Sequence, residues 1–252
     1  LIAVDPAQPV ADEPVVEVKP SKRIKLNDTP LWHFSPENGN FLTLKQWEYR
    51  LNTERGMTEL HYTTSFMMPE RLGNLRLILD GVPKHGFPDR GLQPSNTSIV
   101  TIDGNEVTDE LPWEIDPQFR VIDLRGKCDP GTHTIGITIK NIGYAPQPGI
   151  EEYAWLAGDF QIDRSVSGIP CLIPIRGIHI GAWEEQGHPF FSGTGCYYTN
   201  IEISEEDAQK RIWLDAGRVG SLLEVEINAE PVGIRVWPPY KMELTGHVRP
   251  GQ

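Results

Sequence analysis

Carboxylates are the residues here whose type and number could do chemistry on a polymer. Hydrolysis of a glycosidic bond needs two of them about 5–10 Å apart, one held protonated near neutral pH. Glu151-Glu152 and Glu184-Glu185 offer such groups. Yet 35 Asp and Glu stand against 23 Lys and Arg, and solvated acidic loops explain the pairs without catalysis. Ser192-Gly193 lacks the Gly-x-Ser-x-Gly elbow of a nucleophilic serine. His179, His188 and His247 are scattered, without metal-ligand spacing. The expectation is that this stretch breaks no bonds.

Aromatic side chains are the second resource. A pyranose ring lays its C–H face on an exposed indole while neighbouring polar groups bond its hydroxyls. Trp32, Trp47, Trp155 and Trp213 sit in apolar strand patterns and are expected in the core. Trp113 (ELPWEID) and Trp237 (RVWPPY) lie in Pro-containing loops beside charges, and Trp183 adjoins Glu184, Glu185 and Gln186. The candidate carbohydrate contacts are therefore Trp113, Trp237, Trp183, Glu184, Gln186 and Tyr240. Trp183 has a second reading, as a clasp folded onto the sandwich.

Hard oxygen ligands are the third. Asp80, Asp103, Asp215 and Asn228 stand at strand-ending turns, where they suit either Ca²⁺ or plain turn formation. A structural calcium at Asp80 or Asp215 is an expectation of the first kind. Cys128, Cys171 and Cys196 show no C-x-x-C spacing. They read as buried thiols, with a Cys171–Cys196 pair as the alternative in an exported protein.

The elements that must position these groups are short strands. Among the 252 residues, Gly 24 and Pro 22 recur every dozen positions or so, punctuation that interrupts helices and supplies turns. Segments 60–68, 75–82, 98–107, 119–126 and 133–141 are β-rich, and most end in a turn residue. Asn38-Gly39-Asn40 between apolar runs predicts a hairpin. Residues 1–28 read as a linker or strap, with one edge strand within 19–26. The length suits two domains, 29–150 and 151–252. The net charge of −12 repels polyanions such as nucleic acid, and no apolar run is long enough to span a bilayer.

An internal repeat supports the pairing of domains. Tyr62…LRLILDG…SIVTIDGNEV…DLRGKCDPG is echoed by Tyr198…RIWLDAG…LLEVEINAEPVG…ELTGHVRPG. Asp80 is matched with Asp215, and Asp103-Gly104 with Asn228-Ala229. The second copy stops where the first continues into HTIGITIK. The strap, or residues 152–163, is expected to cover the vacant edge.

On these residues a family resemblance appears. Trp183, Gln186-Gly187-His188-Pro189-Phe190-Phe191-Ser192-Gly193, Tyr197-Tyr198, LDAG (214–217), EINAEPVG (226–233), PPY (238–240) and the closing PG resemble the galactose-binding-like jelly roll of large glycoside hydrolases. The pattern is similar to the sugar-binding domain of family 2 and to the C-terminal β-sandwich of family 106 α-L-rhamnosidase-type enzymes. Phe191 replaces a tyrosine of that pattern and Ala229 a glycine. The resemblance implies an all-β chain of two tandem jelly-roll, galactose-binding-like sandwiches. It implies an extracellular or periplasmic bacterial setting, with a plant or other complex polysaccharide and the parent enzyme's catalytic domain as partners. It equally admits a structural module that packs on that catalytic domain and binds nothing alone.

Overall fold

The computed structural model describes residues 21–25, 33–37, 39–54, 57–80, 82, 96–112, 119–142, 150, 154–166 and 168–251. Trp32, Trp113, Glu151 and Glu152 lie outside the described residues, as does the strap before residue 21. The protein is all-β, as the turn punctuation predicts. Its chain forms two compact units, Leu31–Tyr198, and Leu1–Pro30 with Thr199–Gln252.

The larger unit has two main sheets. One runs β3 (Asn40–Leu44), β12 (Ala154–Gly158), β6 (Leu75–Leu79), β10 (Arg120–Asp123), β9 (Glu110–Leu111). The other runs β13 (Phe160–Asp163), β14 (Cys171–Pro174), β5 (Met57–Met68), β11 (Gly131–Ile142), β7 (Asn96–Ile102), β8 (Asn105–Glu106), with β4 (Glu48–Glu54) also on β5. Alternation decides the faces. Leu75, Leu77 and Leu79 point inward with Leu42, Ile122 and Leu156, and they meet Phe66, Ile135, Ile137 and Ile139 of the second sheet in one core. Each such side chain, fully buried, contributes about 1.5–3 kcal/mol. On the outer face of the first sheet, Ile78, Val121 and Ala157 are buried beneath Phe41, Phe119 and Trp155.

Strand pairing departs from the sequence reading in two places. The boundary expected at residue 150 falls inside the larger unit, because β12 inserts between β3 and β6 and pairs with both along its length. Gly158 ends that strand against Asn74, whose carbonyl would lie 2.0 Å from any added Cβ. The hairpin expected around Asn38-Gly39-Asn40 also does not form. The turn exists, with Gly39 N–H donating to the Pro36 carbonyl, but β2 (His33–Pro36) pairs with β15 (Gly195–Tyr198) while β3 pairs with β12.

The smaller unit holds β1 (Ser21–Lys25), β16 (Arg211–Asp215) and β19 (Lys241–Glu243) in one sheet, and β17 (Leu223–Ile227) with β18 (Glu230–Arg235) in a hairpin. A short helix, α1 (Glu205–Ala208), starts on Ser204, whose hydroxyl accepts from Asp207 N–H. Ile212, Leu214 and Met242 turn inward with Val225 and Leu244, and Ile24 packs against them. The expected edge strand of the strap is β1. It joins β16 in parallel, in the sheet of β16 rather than beside the β17–β18 hairpin. Residues 154–163 instead enter the larger unit as β12 and β13.

The repeat is visible as shared turn geometry. Asp103 and Gly104 have φ of 53° and 81°, and Asn228 and Ala229 have φ of 52° and 64°. Leu124 and Leu244 each accept the N–H three residues on, from Lys127 and His247. Register corrects one detail of the match. Asp123 pairs with Arg76, and its counterpart Glu243 pairs with Trp213. This sets Ile78, not Asp80, in the place of Asp215.

Candidate functional site

Three of the predicted contact residues share one turn. Trp183 caps the 3₁₀ turn Glu184–Gln186, and Gly187 follows in the left-handed region at φ 86°. The turn is held from beneath by buried amides. Asn40, fully buried, donates from Nδ2 to the Phe160 and Gly187 carbonyls at 3.0 and 2.8 Å. Gln186 is used internally, because Oε1 accepts His179 N–H at 2.8 Å and Nε2 donates to the His179 and Ala182 carbonyls. Trp183 Nε1 donates to the Tyr197 hydroxyl, and its ring meets Phe191 at 5.1 Å and Phe34 at 6.0 Å. Glu184 is exposed, and its carbonyl accepts from Arg164. This is the clasp arrangement: the indole and the glutamine amide are spent on holding the turn.

His188 completes the aromatic cluster. It is 1% exposed, edge-on to Phe34 at 4.9 Å, and neither ring nitrogen has a hydrogen-bond partner among the described residues. Burial pulls its pKa from 6.5 down to about 4. A second histidine, His133, bonds Asp103 through Nδ1 at 2.7 Å and the Asp129 carbonyl through Nε2 at 2.6 Å. Both nitrogens are engaged, so this pair braces the β7–β8 turn. All three cysteines are free; Cys128 and Cys171 are buried, and burial pushes the Cys128 thiol up to about 11.

Trp237 and Tyr240 sit in the smaller unit and differ sharply. Trp237 is 72% exposed, and Leu222, Ile234 and Val236 of the same unit are each about half exposed. Glu224, paired across the hairpin with Ile234, is also exposed. Tyr240 is buried, and its hydroxyl donates to the Ser221 carbonyl at 2.8 Å. It packs the turn rather than presenting a face.

Of the proposed metal residues, Asp80 belongs to the larger unit and Asp215 to the smaller. Asp215 accepts Gly217 N–H on Oδ1 at 3.0 Å and forms an ion pair with Arg23 on Oδ2. It is thus committed as a turn former and ion-pair partner, and it does not fit a calcium ligand set. Among the described residues no group of three or more His, Cys, Asp or Glu is arranged to hold a metal.

One feature escaped the sequence reading. Trp213, expected in the core, lies on the outer face of its sheet, because Ile212 and Leu214 take the inward positions. A groove of about 290 Å³ runs there, lined by Ser21, Arg23, Trp213, Asp215 and Lys241. The alternation Arg211-x-Trp213-x-Asp215 was the available signal.

No family model matches this chain. Over 120 residues it is 28% identical to a putative beta-glucuronidase from Formosa agariphila, a match covering 46% of this chain and 10% of that protein. The chain spans about a tenth of that relative's length. An α-L-rhamnosidase from Dictyoglumus thermophilum aligns over 47% of this chain and 14% of its own, at 15% identity and a TM-score of 0.23.

Proposed function

We propose that this chain is a non-catalytic, carbohydrate-binding region of a polysaccharide-degrading glycoside hydrolase, built on galactose-binding-like sandwiches. The observation that carries the reading is Trp237, a large indole left 72% exposed. An indole so exposed supplies the apolar face a sugar ring needs. The partial similarity to a putative beta-glucuronidase supports a parent enzyme of that class. In this reading the parent acts outside the cytoplasm on a complex polysaccharide, and its catalytic domain is this chain's covalent partner.

A second reading, a purely structural module, is favoured by the Trp183 turn, whose polar groups are bonded internally. Affinity electrophoresis of the full chain on soluble neutral and acidic polysaccharides separates the two. Retardation that Trp237→Ala abolishes, without release of reducing ends, supports binding. No retardation on any gel rejects it in favour of scaffolding, and release of reducing ends rejects the non-catalytic assignment.

A further inference from the structure

The groove over Trp213 has the composition of an anion site. Register places Arg23 beside Trp213 and Trp213 beside Glu243. It also places Lys25 beside Asp215 and Asp215 beside Lys241. Residues paired across a sheet share a face, so among the described residues this face carries Arg23, Arg211 and Lys241 beside the carboxylates of Asp215 and Glu243. The excess is positive in a chain of net charge −12. Arg211 is bidentate to Glu243 at 3.0 and 2.7 Å and lies 5.1 Å from the Trp213 ring centre. That leaves Arg23 and Lys241 sharing the buried carboxylate of Asp215, with Lys241 Nζ at 3.8 Å from it.

The equivalent face of the larger unit is closed by an apolar layer of Ile78, Val121 and Trp155. In the smaller unit the same positions carry Asp215, Lys241 and an open groove. An open sheet face with an aromatic wall and an excess of fixed cations is suited to a ligand with both a ring and a negative group.

We propose that this groove binds an acidic sugar unit of a polysaccharide. Its anionic group, carboxylate or sulfate, meets Arg23 and Lys241. Its ring lies along Trp213, and Asp215 holds the Arg23 guanidinium in place. The cationic contact stands on the charge arrangement alone, while the sugar ring rests on the carbohydrate-binding reading above.

The test is affinity electrophoresis of the full chain on polygalacturonate, on a sulfated galactan and on an uncharged galactan, at low and high salt. The expected result is retardation by at least one acidic polymer that weakens with salt, as exposed charge contacts do. Lys241→Gln should weaken it about tenfold, the scale of one hydrogen bond to a charged group, while the melting temperature and retention on the neutral gel stay unchanged. Polygalacturonate alone marks the group as carboxylate, the galactan alone as sulfate, and equal retention as charge without further selection; each supports the groove. A second variant, R23Q with D215N, removes a cation without stranding a buried carboxylate and should weaken the same gels. Acidic retention that survives both variants overturns the groove, and so does retention on the neutral gel alone. Absence of retention on every gel overturns the carbohydrate-binding reading itself.

Discussion

Ile78 of β6 and Asp215 of β16 occupy matching register positions in the sheets of the two units. Each pairs antiparallel with a strand leading into a Leu-centred turn, Ile78 with Val121 and Asp215 with Lys241. Between the copies an apolar pair has become a charged one. The larger unit covers that face with aromatic rings, and the smaller one carries ion pairs there.

The contrast predicts unequal costs for two tryptophans. Trp155 is half-buried over Ile78 and Ala157, so Trp155→Ala removes packed area and should cost about 2–3 kcal/mol. Trp213 is also half-buried but stacks on Arg211 rather than on an apolar layer, so Trp213→Ala should cost less, about 1 kcal/mol. Urea unfolding of both variants checks this; equal midpoints would contradict the assignment of the two faces.

Ala229 sits at φ 64°, a left-handed conformation that costs a residue with a Cβ about 1–2 kcal/mol. Ala229→Gly should therefore stabilise the β17–β18 turn by about 1 kcal/mol, less the extra freedom glycine has in the unfolded chain. A higher melting temperature for the smaller unit is the expected result. The equivalent turn, Asp103-Gly104, already carries glycine in that place.

His188 gives the larger unit an acid limit. Its pKa is about 4 in the folded protein and near 6.5 when unfolded. The unfolded chain thus takes up the proton first as pH falls. Stability is complete above pH 6.5 and declines between 6.5 and about 4, by up to about 3 kcal/mol in all. His188→Leu should flatten that part of the pH–stability curve. It should be close to neutral at pH 7, since it removes two nitrogens that make no hydrogen bond among the described residues. Thermal melts from pH 7 to pH 4 read both effects.

Tyr240→Phe should lower stability by about 1 kcal/mol through the lost bond to the Ser221 carbonyl. It should leave retention on every polysaccharide gel unchanged, because the ring is buried. A loss of retention with an unchanged melt would instead return Tyr240 to the binding surface.

Much of this was readable from residue order. Turn residues located the strands, Leu75, Leu77 and Leu79 showed their inward face, and Asp103-Gly104 with Asn228-Ala229 announced the repeat. The domain boundary was not readable, since the place of β12 between β3 and β6 depends on partners 110–118 residues away in β3 and 75–83 in β6. Asn40 gave the opposite signal, because a polar residue after Gly39 reads as an exposed turn. Its amide is instead the buried link between β13 and the Trp183 turn. Trp213 was hidden by the segment RIWLD, in which the indole is flanked by apolar residues and only the register turns it outward. The charged groove needed β1 as well, and nothing local in residues 21–25 names β16 as their partner.

The parallel pairing of Ser21 with Arg211 also fixes an order of events during synthesis. At about 5–20 residues per second, β1 leaves the ribosome roughly ten to forty seconds before its neighbour exists. Throughout that interval Ile24 lacks the layer that will bury it, while the intervening 31–198 stretch can already condense. Maturation of the smaller unit is thus a late, post-emergence event, and nascent chains stalled short of Arg211 should expose β1 to chaperones and proteases.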